Sequence, residues 1–178
     1  VALAAAWTAA AKITLPEIIG DNMVLQQNAE AKLWGWAEPH AAVKVETSWG
    51  AGAAVKSDAD GRWAVSVRTP AGSYEPQRIT FASGDRVTFD RVLIGEVWLA
   101  SGQSNMEMPV YSGRQFWNSA NGKAEVAAAD HPGIRLFNTC QRRSVSPGVE
   151  QKEIAGPGWV VCSPETVGPF SALGYYFA

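Results

Sequence analysis

The chain has 178 residues, of which 47% are hydrophobic and 18% charged, with a formal net charge of −2. That length accommodates one large domain, or a small one with part of another, and the hydrophobic share is ample for a core. So small a net charge creates no field that would gather nucleic acid or anionic lipid, which argues against nucleic-acid binding.

The elements are taken in chain order. Residues 1–12 form the first unit: Val1 to Ala11 is uncharged and Ala-rich, and Lys12 opens an ordinary mixed sequence. The run resembles the end of a secretory signal, with Ala9-Ala10-Ala11 suited to signal peptidase, and it points to a periplasmic or secreted protein. The alternative is a disordered or frayed helical start. Neither this run nor any later one reaches the roughly 20 apolar residues of a membrane-spanning helix, so no membrane span is expected.

From Ile13 to about Val92 the chain reads as short strands separated by turn residues. Alternation is visible in Val43-Lys44-Val45-Glu46-Thr47 and in Trp63-Ala64-Val65-Ser66-Val67. Asp58-Ala59-Asp60-Gly61 supplies turn chemistry between β-type runs, and a hairpin is the expected result. Further strands are predicted at Lys32 to Trp36, Arg78 to Ala82 and Arg86 to Phe89, with Ser83-Gly84-Asp85 turning between the last two. Short, regularly spaced strands point to an antiparallel β-sandwich over 13–92, with Trp63 or Trp34 in its core. Eight Trp serve either as core filling or as platforms for sugar rings, and Trp34, Trp36, Trp49 and Trp63 are the candidates for stacking.

The pattern changes near Leu93. Val97-Trp98-Leu99-Ala100 is a continuous apolar run, expected as a strand buried on both faces, and it feeds the polar turn Ser101-Gly102-Gln103-Ser104-Asn105. In open α/β sheets ligands gather beyond the carboxyl ends of strands, which makes Ser104 a candidate site residue. A helix over Gly122 to Asp130, a strand at Ile134 to Phe137 and a helix starting near Pro169 or Phe170 follow. Cys140 and Cys162 permit one disulfide at most, and two buried thiols are the simpler expectation.

Gly95 to Pro109, reading GEVWLASGQSNMEMP, resembles the first block of the SGNH hydrolases in the form used by the sialate O-acetylesterase family of carbohydrate esterases. Leu15 to Gln27, Trp159 to Val167 and Phe170 to Tyr175 extend the resemblance in the family's order. It implies a β-sandwich followed by a flavodoxin-like, three-layer α/β/α SGNH hydrolase domain, of which 93–178 would be the first, incomplete part. The implied activity is hydrolysis of O-acetyl esters on sialic acids or related acetylated glycans through an acyl-serine, without a metal or other cofactor. A xylan-type acetyl esterase is the neighbouring reading. Ser104 takes the place of the nucleophile, with Gly102, Gln103 and Asn105 as turn or oxyanion support.

A serine hydroxyl needs a base to take its proton and donors to hold the oxyanion. Met106 stands where a Gly-x-Ser-x-Gly elbow has its second glycine, which disfavours an α/β-hydrolase lipase. The competing reading of Ser104 is a helix N-cap. Glu107, a single carboxylate, reads as a solvated group. His40, in Glu38-Pro39-His40, reads as a surface turn residue, and His131, between Asp130 and Pro132, as a loop residue. Neither fits the family's Asp-x-x-His base block. The chain is therefore expected to be a catalytically silent N-terminal fragment of an esterase. A non-catalytic β-sandwich that binds glycans or braces a hydrolase domain is the alternative.

Overall fold

The computed structural model describes residues 12–114, 117–139 and 158–178. The possible leader at 1–11 and Cys140 lie outside the described residues, while Cys162 carries a free, buried thiol.

The chain is rich in sheet. In order it forms β1 (Val24–Gln26), β2 (Glu30–Trp36), β3 (Ala42–Thr47), β4 (Gly52–Lys56), β5 (Arg62–Arg68), β6 (Ser73–Ser83) and β7 (Asp85–Gly95). Then come α1 (Ser104–Glu107), α2 (Gly122–Ala128), β8 (His131–Leu136), β9 (Val160–Cys162) and α3 (Ala172–Phe177). Five strands make one sheet in the order β1-β7-β6-β3-β4, and β2 pairs with β5 in a two-stranded ribbon. All of these pairings are antiparallel except that of β1 with β7, which is parallel.

Period-2 alternation explains which side chains go inside. Val43 and Val45 of β3 are buried while Lys44 between them is exposed. Leu33 of β2, Trp63 and Val67 of β5, Ile79 and Phe81 of β6 and Val92 of β7 join them in one core fed by both sheets. Trp63 and Phe81 meet at 6.0 Å between ring centroids. Trp34 and Trp49 are half-buried and pack against this core from its edge.

Three expectations are corrected here. The Asp58–Gly61 turn forms, with Asp58 Oδ1 accepting from the backbone N–H groups of Asp60 at 2.9 Å and Arg62 at 2.8 Å. It does not close a hairpin, however. β4 occupies the edge beside β3, pairing Val43 with Val55 and Val45 with Ala53, so β5 crosses to β2 and pairs Leu33 with Val65. Gly61 permits the crossing: it sits at φ +77°, and a Cβ there would lie 2.3 Å from the Ala37 carbonyl oxygen. By contrast, Ser83-Gly84-Asp85 does close the β6–β7 hairpin, with Gly84 at φ +76°.

The second correction concerns Val97 to Ala100, which lies outside any strand and is exposed along its length. A strand needs a ladder on at least one edge, and among the described residues nothing pairs with this run. Beyond it, a smaller core gathers Val110, Ala129, Leu136, Cys162, Val167, Ala172 and Tyr175. His131, read from sequence as a loop residue, is the first residue of β8 and pairs with Cys162. The proline after it is tolerated because this ribbon has only two strands among the described residues and needs no second donor there.

Candidate active site

The approach to Ser104 begins at the end of β7. The Glu96 carboxylate accepts from Gln26 Nε2 at 3.0 Å and Gln27 Nε2 at 2.7 Å, and Gln26 Oε1 accepts from the Val97 N–H at 2.9 Å. Gln27 Oε1 in turn accepts from the Gly72 N–H at 2.7 Å. This polar clasp fixes the direction in which the chain leaves the sheet. The two amide donors hold the Glu96 carboxyl below the usual carboxylate range, since hydrogen bonds to the charged form favour it.

The chain then runs through Ser101 and Gly102 into α1, a single helical turn. Gln103 is its N-cap and offers no side-chain cap, while the Gln103 carbonyl accepts from the Met106 N–H at 2.8 Å and the Glu107 N–H at 3.2 Å. Ser104 is thus the first helical residue rather than the cap. Gly102, Gln103, Ser104 and Asn105 are all exposed. Among the described residues no side chain hydrogen-bonds the Ser104 hydroxyl, and the Ser104 and Asn105 N–H groups find no acceptor, since the first donors of a helix have no intrahelical partner and Gln103 supplies no side-chain cap. A Cβ on Gly102 would lie 3.2 Å from Met106 Cβ, so the absence of a side chain lets the turn fold close.

Asn105, expected to pin the turn, forms no hydrogen bond among the described residues. The turn is pinned from further along the chain. Ser171 Oγ donates to Met106 Sδ at 3.2 Å, the Ala172 N–H to the Met108 carbonyl at 2.8 Å, and the Val110 N–H to the Phe170 carbonyl at 3.0 Å. Ser171 also accepts from the Gly174 N–H and so caps α3. One hydroxyl, as donor and acceptor, joins the start of α3 to the Ser104 turn. Sequence reasoning singled out the segments but not this contact, and the only available signal was the good N-cap residue Ser171 ahead of an apolar stretch.

The histidines are elsewhere. His40 is exposed in the β2–β3 turn at φ +60°. His131 stands beside Tyr175, at 6.2 Å between ring centroids, and helps to line a cleft of about 950 Å³ together with Tyr74, Glu96, Trp98 and Phe177. None of residues 102–105 lines that cleft. Neither imidazole hydrogen-bonds Ser104. Glu107 is exposed and makes no ion pair among the described residues.

Two stretches that carry the family resemblance meet at a third place. Trp159 Nε1 donates to the Ile18 carbonyl at 2.8 Å, and Asn22 Nδ2 to the Trp159 carbonyl at 3.4 Å. The start of the sheet body is thereby joined to the segment that leads into β9 and α3.

No protein-family model matches the chain. It is 32% identical over 151 residues to the sialate O-acetylesterases of Homo sapiens and Pongo abelii, an alignment that takes in 76% of this chain and 26% of each relative. Against the Mus musculus sialate O-acetylesterase it is 31% identical over 130 residues, covering 67% of this chain and 23% of the relative. Among solved structures, a carbohydrate acetylesterase from Xanthomonas citri superposes with a TM-score of 0.82 at 36% identity, over 94% of this chain and 36% of that one. The chain belongs to the sialate O-acetylesterase family. It spans 26% of the length of the first curated relatives it matches. Within the sialate O-acetylesterase family, then, it represents the sheet body, the Ser104 turn and the elements that clamp that turn.

Proposed function

We propose that this chain is the part of a carbohydrate esterase that carries its nucleophile, Ser104, and that the substrate class is an O-acetylated sugar, with sialic acids as the first candidate. The observation that carries the reading is the state of Ser104. Its hydroxyl is exposed and unengaged at the first position of a tightly clamped turn, in a chain whose relatives are named acetylesterases. A serine serving only as a cap would be bonded to the backbone N–H two or three residues on, and Ser104 is not.

In the proposed reaction a base takes the Ser104 proton while Oγ attacks the acetyl carbonyl carbon, forming a C–O bond and a tetrahedral oxyanion. The N–H groups of Ser104 and Asn105, without an acceptor among the described residues, are the donors assigned to that charge. Collapse breaks the ester C–O bond, the sugar hydroxyl leaves with the proton, and water then releases acetate from the acetyl-serine. The base is assigned to the part of the relatives' length that this chain does not span, because neither His40 nor His131 reaches Ser104.

The architecture that accompanies this reading is a β-sandwich over 13–92, followed from residue 93 by the opening of a flavodoxin-like SGNH domain. The Ala-rich start is read as the end of a leader, which places the protein in the periplasm or outside the cell. No helix among the described residues is long and apolar enough to cross a membrane.

The test has two arms. In a protein of the relatives' full length that carries this chain, Ser104→Ala should lower p-nitrophenyl acetate turnover by roughly 10³-fold or more, as loss of a triad nucleophile does. Retained turnover would sink the assignment. The 178-residue chain should remain at background with 4-methylumbelliferyl acetate, and turnover abolished by both Ser104→Ala and His131→Ala would show instead that the chain holds a working dyad.

A further inference from the structure

The outer face of the β2–β5 ribbon carries chemistry that the Ser104 reading does not use. Alternation puts Lys32, Trp34 and Trp36 on that face of β2, and the register sets Ser66, Ala64 and Arg62 of β5 opposite them in turn. Ala64 is too small to cover the indole of Trp34. The result is a cleft of about 470 Å³ lined by Lys32, Trp34, Trp36, Asp58, Arg62 and Ala64, within the range of roughly 300–1,000 Å³ typical of small-molecule sites.

The charges around it are unbalanced. Glu30 and Arg68, one register step beyond Lys32 and its neighbours, approach each other at 3.6 Å. Lys32 and Arg62 have no ion-pair partner among the described residues. Asp58 is also in the cleft, but its Oδ1 is already occupied by two backbone N–H groups of its own turn. The indole N–H of Trp34 is covered by neighbouring atoms and, like that of Trp63 beneath the same cleft, has no acceptor among the described residues. An orphaned buried donor is unfavourable, and such a group in a native fold calls for a partner. Trp49 provides the contrast, since its indole N–H is satisfied by the Arg68 carbonyl at 2.8 Å.

We propose that this cleft is a binding site for a carboxylate-bearing pyranose of the hexuronate type, separate from the Ser104 turn. The apolar face of the sugar ring lies on the half-buried indole of Trp34, because a flat aromatic surface with a polar edge suits a ring that is apolar on its faces and polar at its rim. Arg62 and Lys32 pair with the carboxylate from the two ends of the cleft, Arg62 by its planar fork. A ring hydroxyl accepts from Trp34 Nε1 after a small turn of the indole. This ligand pairs both cations of the cleft, whereas a neutral sugar leaves them unpaired.

The test uses the 178-residue chain, labelled with nitrogen-15, and contains no ester, so its outcome is independent of Ser104. Trp34→Phe identifies the Trp34 indole resonance. Titration with a glucuronate-containing disaccharide should shift that resonance saturably and leave the Trp49 indole unmoved. The neutral glucose counterpart should bind at least about fivefold more weakly at low salt, a gap that closes toward 1 M salt as screening removes the charge contribution. Lys32→Gln with Arg62→Gln, both on the surface, should abolish the preference, and Trp34→Ala should weaken binding about tenfold or more, in line with the loss of an aromatic anchor. No saturable shift with either sugar, equal affinity for both, or unchanged binding in a Trp34→Ala protein with a native melt would overturn the proposal. So would hydrogen exchange on a protein of the relatives' full length showing this face protected without sugar, which would assign it to an intramolecular contact.

Discussion

Two apolar runs lie three residues apart in the same segment and behave in opposite ways. Val92, Leu93 and Ile94 of β7 are 0, 4 and 2% exposed, whereas Val97, Trp98 and Leu99 are 41, 66 and 89% exposed. Their hydrophobicity does not distinguish them. Their neighbours do: β7 has β6 along one edge and β1 along the other, while beyond Gly95 the chain has no ladder among the described residues. Burial of a strand follows from the satisfaction of its backbone groups by pairing, and side chains go inside only where that has happened. The exposed run makes do with one aromatic contact, Trp98 edge-on to Phe177 at 5.0 Å.

The largest test of this contrast lies in the paired region. Phe81 is fully buried between Trp63 and Phe89, so Phe81→Ala should cost about 3–5 kcal/mol through lost transfer energy and an unfilled cavity. Urea unfolding of the 178-residue chain would measure it, and a loss under about 1 kcal/mol would mean that the core is looser than described. In the unpaired region, Leu99→Ser should change stability by less than about 0.5 kcal/mol, as surface substitutions do. It should also reduce binding of a hydrophobic dye. A large loss of stability there would show that the run is paired in solution after all.

The smallest effect concerns the junction between the two runs. The Glu96 carboxyl is held below its ordinary value by Gln26 and Gln27. A carboxylate depressed in the folded state contributes stability above its unfolded pKa and loses it as pH falls through the folded one. The clasp should therefore be fully present at neutral pH and open below the ordinary glutamate range, near pH 4 and lower. Carbon-13 titration of the Glu96 carboxyl should give a midpoint below that of an unstructured glutamate, and Gln26→Leu with Gln27→Leu should return it to the ordinary range. An unshifted midpoint in the unmodified chain would remove the clasp as a feature of the solution state.

The same logic of partners separates what was legible in the sequence from what was not. Alternation disclosed β3 and β5 because each shows polar and apolar residues in strict turn, and Gly84 marked the β6–β7 hairpin because that turn needs a positive φ. β4 is not legible in this way: Gly-Ala-Ala-Val-Lys has little β propensity, and it forms because β3 offers an open edge. Without β4 in view, β5 takes the wrong partner. At the candidate site, Ser104 and its turn were visible from local chemistry. The clamp on that turn was not, since Ser171 reaches Met106 across 65 positions, and no local pattern encodes a contact of that range.

The parallel pairing of β1 with β7 has a consequence for how the protein is made. Val24 aligns with Leu93 and Gln26 with Gly95, so β1 leaves the ribosome about seventy residues ahead of its partner, or some 4–14 s of synthesis at typical rates of about 5–20 residues per second. During that interval Val24 and Leu25 are without a ladder. The five-stranded sheet closes last at the strand that is oldest, and its β7 partner leads directly into the Ser104 turn, so the candidate site takes shape only once the oldest strand has docked against the newest.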